Sequence, residues 1–184
     1  MRNNDQADKS EEPLDVVNEK DLVLGQKPRL HCLKLGLLHR AIMVFVIDRE
    51  GNVILQKRSK QKSWCPGYWT VSCTGHVRAG ESYSAAAKRE LKEELGLGGE
   101  RPKELFKVLM PKYSFEEFTE WEYVTVFELV IPSSERIDFD KKEIETVKKV
   151  PKWDLLEMVE AKDGSMTPDA IENAGRYLAL IKGH

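Results

Sequence analysis

Residues 75–97 read GHVRAGESYSAAAKRELKEELGL, and this stretch decides how the rest of the chain is to be understood. Ser82 to Leu95 contains no glycine or proline, and Ala87, Leu91 and Leu95 recur at the spacing of one buried helical face. Gly96 supplies a stop. On such a helix Glu90, Glu93 and Glu94 stand at i, i+3 and i+4, so three carboxylates share one side. Like charges that close repel. Arg89 offsets part of the repulsion through Glu93, four residues on, and a divalent cation bridged to phosphate oxygens relieves more of it. All-oxygen ligands suit magnesium or manganese. The plain alternative is a solvated acidic face, which is what most such charge runs are.

Outward from the helix, the flanks alternate between strand and turn signals. Tyr68 to Cys73 is rich in aromatic and β-branched residues and follows the turn pair Pro66 and Gly67, so it reads as a strand delivering the chain to Gly75. Further upstream, Ala41 to Ile47 and Val53 to Gln56 flank a turn containing Gly51, the pattern of a core hairpin. Leu14 to Val17 and Leu22 to Gly25 form a smaller hairpin around a polar turn. Downstream, Leu105 to Met110 and Tyr123 to Ile131 are strand-like. Trp153 to Val159 and Asp169 to Ile181 are helical, the latter entered through Thr167 and Pro168. The mixture without regular alternation predicts an α+β fold, an α/β/α sandwich around a mixed sheet.

The 184 residues suffice for one buried domain, assigned to 14–184, whereas 1–13 are nearly all polar or charged and read as a disordered tail. With 29 Lys plus Arg against 31 Asp plus Glu, the formal charge is -2, and nothing marks a nucleic-acid binder. No apolar run is long enough for a membrane span and the N-terminus lacks a secretory core, so a cytoplasmic protein is expected. Cys32, Cys65 and Cys73 show no paired spacing and are read as reduced thiols. Oligomeric state is left open.

Gly75, Glu81, Arg89 and Gly96 join the three glutamates in one pattern: Gly, five residues, Glu, seven residues, then Arg-Glu-apolar-x-Glu-Glu-x-Gly-apolar. In this the chain resembles the Nudix hydrolase superfamily. The resemblance implies the Nudix fold with a loop-helix-loop presenting Glu90, Glu93 and Glu94 to magnesium or manganese. Glu81 belongs to that metal set as a support, and Arg89 orients the carboxylates. The implied reaction is hydrolysis of a diphosphate joined to an organic group of a small molecule.

A second resemblance lies outside the helix, in His39-Arg-Ala, in Arg58 to Lys62, and in Pro66 to His76. These look like the isopentenyl-diphosphate isomerase branch of the same superfamily. That branch implies a second, transition-metal site at His31, His39, His76, Glu120 and Glu122, with Glu122 also catalytic. It further implies that Arg58 and Lys62 hold the substrate diphosphate; a solvated loop is the alternative for this pair. Trp64, Tyr68 and Trp69 receive no role. Isomerase chemistry would require a cysteine at position 74, where this chain has threonine. Cys73 is one residue early, and one step along a strand sends a side chain to the opposite face. The isomerase is therefore the alternative and the hydrolase the leading expectation.

Overall fold

A computed structural model describes residues 10–182. Part of the expected tail, residues 1–9, lies outside them. Its last residues are placed against the fold: Glu12 pairs with Arg78, and Pro13 opens the first strand.

The expected hairpins form. β1 (Pro13–Val17) pairs antiparallel with β2 (Val23–Pro28). After α1 (Arg29–Leu35), β3 (His39–Asp48) turns into β4 (Asn52–Arg58). The stretch read as one strand before Gly75 is two short ones, β5 (Trp69–Thr70) and β6 (Cys73–His76), because β3 and β4 pair only near Ile47 and Val53. Beyond that point the two strands accept different partners: β5 on β4 and β6 on β3. The acidic helix, α2, spans Tyr83–Leu95.

Downstream are β7 (Lys103–Leu109), β8 (Tyr113–Phe115), β9 (Phe118–Glu120), β10 (Glu122–Ile131), β11 (Ile144–Pro151), α3 (Lys152–Glu160) and α4 (Pro168–Lys182). Among the described residues the main sheet has seven strands, with the path β11-β4-β3-β10-β7. It is mixed, since β10 runs parallel to β3 while β7, β4 and β11 pair antiparallel.

Each sheet face buries its own core. Ile42, Val44 and Val46 point to one side and meet Ala86, Ala87, Leu91 and Leu95 of α2. Met43, Phe45 and Ile47, one residue out of phase, point to the other and meet Leu155 of α3 with Ala170, Ala174 and Tyr177 of α4. Phe45 stacks on Tyr177 with ring centroids 4.2 Å apart. The result is the expected helix-sheet-helix sandwich. Strand β11 escaped sequence reading because its lysines break the apolar run, only Ile144 and Val150 being buried. Helix α1 escaped because two turns between Pro28 and Gly36 leave no periodicity to count.

Candidate active site

Helix α2 starts where the Ser82 hydroxyl accepts the Ala85 N–H at 3.2 Å, and it ends where Gly96 takes a left-handed conformation, φ +70°. The Gly96 and Leu97 N–H groups return to the carbonyls of Lys92 and Leu91. Between these caps the apolar residues anchor the helix, and Glu90 and Glu94 are carried into the interior beside them while Glu93 stays exposed.

Gly75 permits this burial. A β-carbon there would lie 2.4 Å from the Glu90 Oε1 and Cδ atoms, closer than packing allows. Gly75→Ala is therefore expected to push Glu90 out of place, costing at least tenfold in turnover and lowering Tm by several degrees. Calorimetry together with a phosphate-release assay checks both effects. A variant with wild-type turnover would mean that the close approach has no functional part.

Arg89 is the hub of the acidic group. Its guanidinium reaches both Glu81 oxygens, at 3.0 and 2.8 Å, Glu90 at 2.6 Å, and the His76 carbonyl at 3.0 Å. Glu93, the partner expected four residues on, stands farther off at 3.5 Å. Glu81 also accepts the Arg78 N–H at 3.0 Å. Both Glu81 oxygens are thus engaged by Arg89 and one also by the Arg78 N–H, so Glu81 braces Arg89 within the acidic group. Glu94 is held by the Gln56 amide at 3.1 Å, and burial with the nearby Glu90 charge pushes its carboxyl up to about 7. A group so placed favours a neighbouring cation. The carboxylate set Glu90, Glu93 and Glu94 therefore suits a hard divalent ion such as magnesium or manganese.

On the opposite side of β6 a second cluster forms. The β10-β3 register sets Glu122 beside His39, and the β6-β3 register sets His76 beside Ala41, so both histidines and Glu122 share one sheet face. Glu120 arrives from β9. The four residues offer ligand atoms that all lie within 4.8 Å of one another. Nδ1 of His39 lies 2.7 Å from the Leu37 carbonyl, which can only accept, so Nδ1 carries a proton and Nε2 faces the carboxylates. His39 Nε2, His76 Nε2 and Glu120 Oε2 are buried without a hydrogen-bond partner, and the nitrogen-carboxylate separations are 3.3–3.5 Å. Burial opposes charge on His39, but Glu120 and Glu122 outweigh it and push the imidazole up to about 10. Burial likewise opposes the Glu120 charge, yet the two histidines hold that carboxyl well below its usual range. Buried imidazole and carboxylate atoms left unpaired around a common centre fit a transition-metal ion.

His31, the fifth expected ligand, is not in this group. It is exposed on α1, whose buried residues are Cys32 and Leu33, so the helix turns Cys32 inward and His31 to solvent. Among the described residues, four of the five implied ligands converge.

Glu90, Glu93 and Glu94 line one open cleft together with His76, Glu120 and Glu122 of the second cluster. Arg58, at the end of β4, and Lys62, on the loop that follows it, line the cleft as well. Arg58 is fixed by the Trp64 carbonyl at 2.9 Å and Lys62 pairs with Glu143. Thr74 lines the cleft, whereas Cys73 is fully buried in the core beneath α2, its thiol pushed well above the usual range by burial and by Glu94 and Glu90. The β6-β3 register runs without a bulge through both residues. Cys32 and Cys65 are also buried and unpaired.

Sequence reading missed Gln56 and Asp169. Gln56 had a legible signal, a polar residue in the otherwise apolar run from Val53. Asp169 was masked, because an acid in a first helical turn needs no explanation beyond the helix dipole. Its Oδ1 is nevertheless buried without a hydrogen-bond partner at the cleft wall. Burial and the Glu122 charge push its carboxyl up to about 6, against Thr167 and Arg58.

Comparison with known proteins accords with this geometry. An isopentenyl-diphosphate Delta-isomerase from Serratia proteamaculans is 42% identical over 90 residues, 49% of this chain and 50% of that protein. A protein named as an uncharacterised Nudix hydrolase from Streptomyces coelicolor is 44% identical over 101 residues, 54% of this chain and 56% of the other. The chain thus spans about half the length of these curated relatives. The crystal structure of DR0079 from Deinococcus radiodurans superposes with a TM-score of 0.73 at 28% identity, covering 90% of this chain and 98% of that one. Residues 37–170, which carry the sheet, the acidic helix and both ligand clusters, match the NUDIX domain, and the chain belongs to that family.

Proposed function

We propose that the protein is a metal-dependent pyrophosphohydrolase that cleaves the diphosphate bond of a small organic diphosphate, such as a nucleoside diphosphate derivative. The observation that carries this reading is the meeting of Glu90, Glu93 and Glu94 with Arg58 and Lys62 across one cleft, acid for a cation and base for a polyanion. Magnesium or manganese, when bound by these carboxylates, supplies Lewis-acid polarisation of a phosphoryl oxygen and lowers the pKa of a coordinated water.

The chain's own residues account for the rest. Arg58 and Lys62 hold the diphosphate and stabilise charge that builds on its nonbridging oxygens. Arg89, braced by Glu81 and the His76 carbonyl, keeps Glu90 turned into the cleft. Gln56 does the same for Glu94. Glu94 lines the cleft beside Glu90 and Glu93, among the groups that would hold the metal and the water it activates. His39, His76, Glu120 and Glu122 would hold a transition metal at the second cluster, and Glu122, which lines the same cleft, would share in proton transfer. No described helix is long and apolar enough to cross a membrane, and the near-neutral charge fits a small-molecule substrate better than nucleic acid.

The isomerase alternative draws on the 42% identity to the Serratia isomerase. It would require a cysteine in the cleft, where Thr74 stands, and Cys73 lies behind the strand. Incubation of the folded protein with magnesium and a panel of nucleoside diphosphate derivatives and other organic diphosphates should yield phosphate or a monophosphate from at least one. A panel with no such product, together with dimethylallyl diphosphate made from isopentenyl diphosphate, would reverse the ranking.

A further inference from the structure

Asp169 stands far along the chain from the acidic helix, yet its place in the cleft is firmly built. The Thr167 N–H donates to the Trp69 carbonyl at 2.9 Å and the Trp69 N–H to the Ser165 carbonyl at 2.8 Å, tying the entrance of α4 to β5. The Thr167 hydroxyl, itself buried, reaches the Thr70 hydroxyl at 3.4 Å. This clamp sets the first turn of α4 over the cleft. An acid there ordinarily turns its oxygens to free backbone N–H groups or to water. The Thr167 hydroxyl helps hold the Asp169 carboxyl, but Oδ1 itself is buried without a hydrogen-bond partner.

Three observations narrow what such an oxygen faces. Asp169 is outside the group of histidines and glutamates whose ligand atoms converge, so it is not one of those ligands. Its nearest charges include Glu122 and Glu120 as well as Arg58, and a carboxylate in that company repels a phosphate. Met43, Val124 and Trp64 also line the cleft and give it apolar surface against which an organic group can lie. A buried acceptor beside such a surface gains from a donor on the bound group, whereas a hydrocarbon that displaced water from it would leave it unpaired.

We propose, building on the hydrolytic reading, that Asp169 is a specificity residue whose Oδ1 accepts a hydrogen bond from an N–H or O–H of the substrate's organic group. The site thereby selects a base or sugar over an isoprenoid chain.

The test uses the full chain with magnesium at pH 8 and three compounds that share a terminal diphosphate: adenosine 5′-diphosphate, ribose 5-diphosphate and isopentenyl diphosphate. For wild type, Asp169→Asn and Asp169→Leu, phosphate release gives kcat and KM, and calorimetry gives Kd. The expected result is a wild-type preference for the polar compounds. The leucine variant should lose about 10- to 100-fold in kcat/KM on them, chiefly through KM, and nothing on isopentenyl diphosphate. The asparagine variant, which keeps an acceptor oxygen, should lose less on the same compounds. A loss on adenosine 5′-diphosphate alone assigns the donor to the base, and a loss on both polar compounds assigns it to the sugar.

An equal loss on all three compounds, a loss confined to kcat, or no loss at all would overturn the assignment. If leucine prevents folding, the near-isosteric asparagine variant decides by the same pattern. If wild type hydrolyses none of the three, the hydrolytic reading fails on these probes. The calorimetric affinities then still decide whether Asp169 selects polar groups: the same selective weakening supports it and uniform affinities overturn it.

Discussion

Glu94→Gln is expected to lower kcat by about a thousandfold or more while leaving the protein folded, and Glu93→Gln to do so by a similar factor. Both substitutions keep the shape of the side chain and remove the charge that would hold the metal. Their effects on stability should differ. Glu94 is buried against the Glu90 charge, so glutamine there removes a repulsion and should leave Tm of the metal-free protein unchanged or a few degrees higher. Glu93 is 41% exposed, and its replacement should not move Tm. A gain in stability together with a collapse in turnover is the behaviour of a group retained for function at a cost in folding. Circular-dichroism melts beside a phosphate-release assay read both. A double variant with wild-type turnover at millimolar magnesium would remove these glutamates from the metal site.

Chelation is expected to abolish turnover, and added magnesium or manganese to restore it. A divalent ion at about 100 times its Kd contributes about 2.7 kcal/mol to the folded state, which for a chain of this size corresponds to a rise in Tm of about 5 to 10 °C. The rise should shrink in Glu94→Gln, because one of the binding charges is gone. The second cluster is separable by its chemistry. A transition metal retained through gel filtration, measured by elemental analysis, should disappear in His76→Ala, whereas magnesium should still raise Tm in that variant through Glu90, Glu93 and Glu94. If His76→Ala loses both responses together, the two clusters form one centre. If it retains the transition metal in full, the histidine-glutamate group is not its holder.

The acidic helix was legible because every constraint on it is local. The cap at Ser82, the apolar positions from Ala87 to Leu95 and the stop at Gly96 lie within four residues of their partners, and helical spacing alone brings Glu90, Glu93 and Glu94 to one side. Even so, spacing misjudged which glutamate Arg89 would hold. It points to Glu93 at i+4, while the folded protein pairs Arg89 most closely with Glu90 and Glu81, because burial draws Glu90 inward and the loop from His76 returns Glu81 to the guanidinium. The mixed sheet with helices on both faces was also legible from its apolar runs. The second strand pair at β8 and β9, the edge strand β11 and the short helix α1 were not, since each draws its order from the elements it lies against.

Thr74 and Cys73 show where local reading is sufficient: alternation along a strand placed the thiol behind the sheet, and the unbroken register of β6 keeps it there. His31 and Asp169 show where it is not. Whether His31 or Cys32 turns inward depends on how α1 lies against its neighbours, and whether Asp169 serves a helix end or a substrate depends on Thr167 being clamped to Trp69, about a hundred residues earlier. The amino-acid sequence by itself determined the family and the carboxylate helix, because the residues that mark them are near neighbours in the chain. Only the tertiary structure decided which four of five candidate ligands converge and which wall of the cleft carries an unpaired acceptor. Side chains from strands that meet only in the folded sheet have no spacing in the chain from which their meeting can be read.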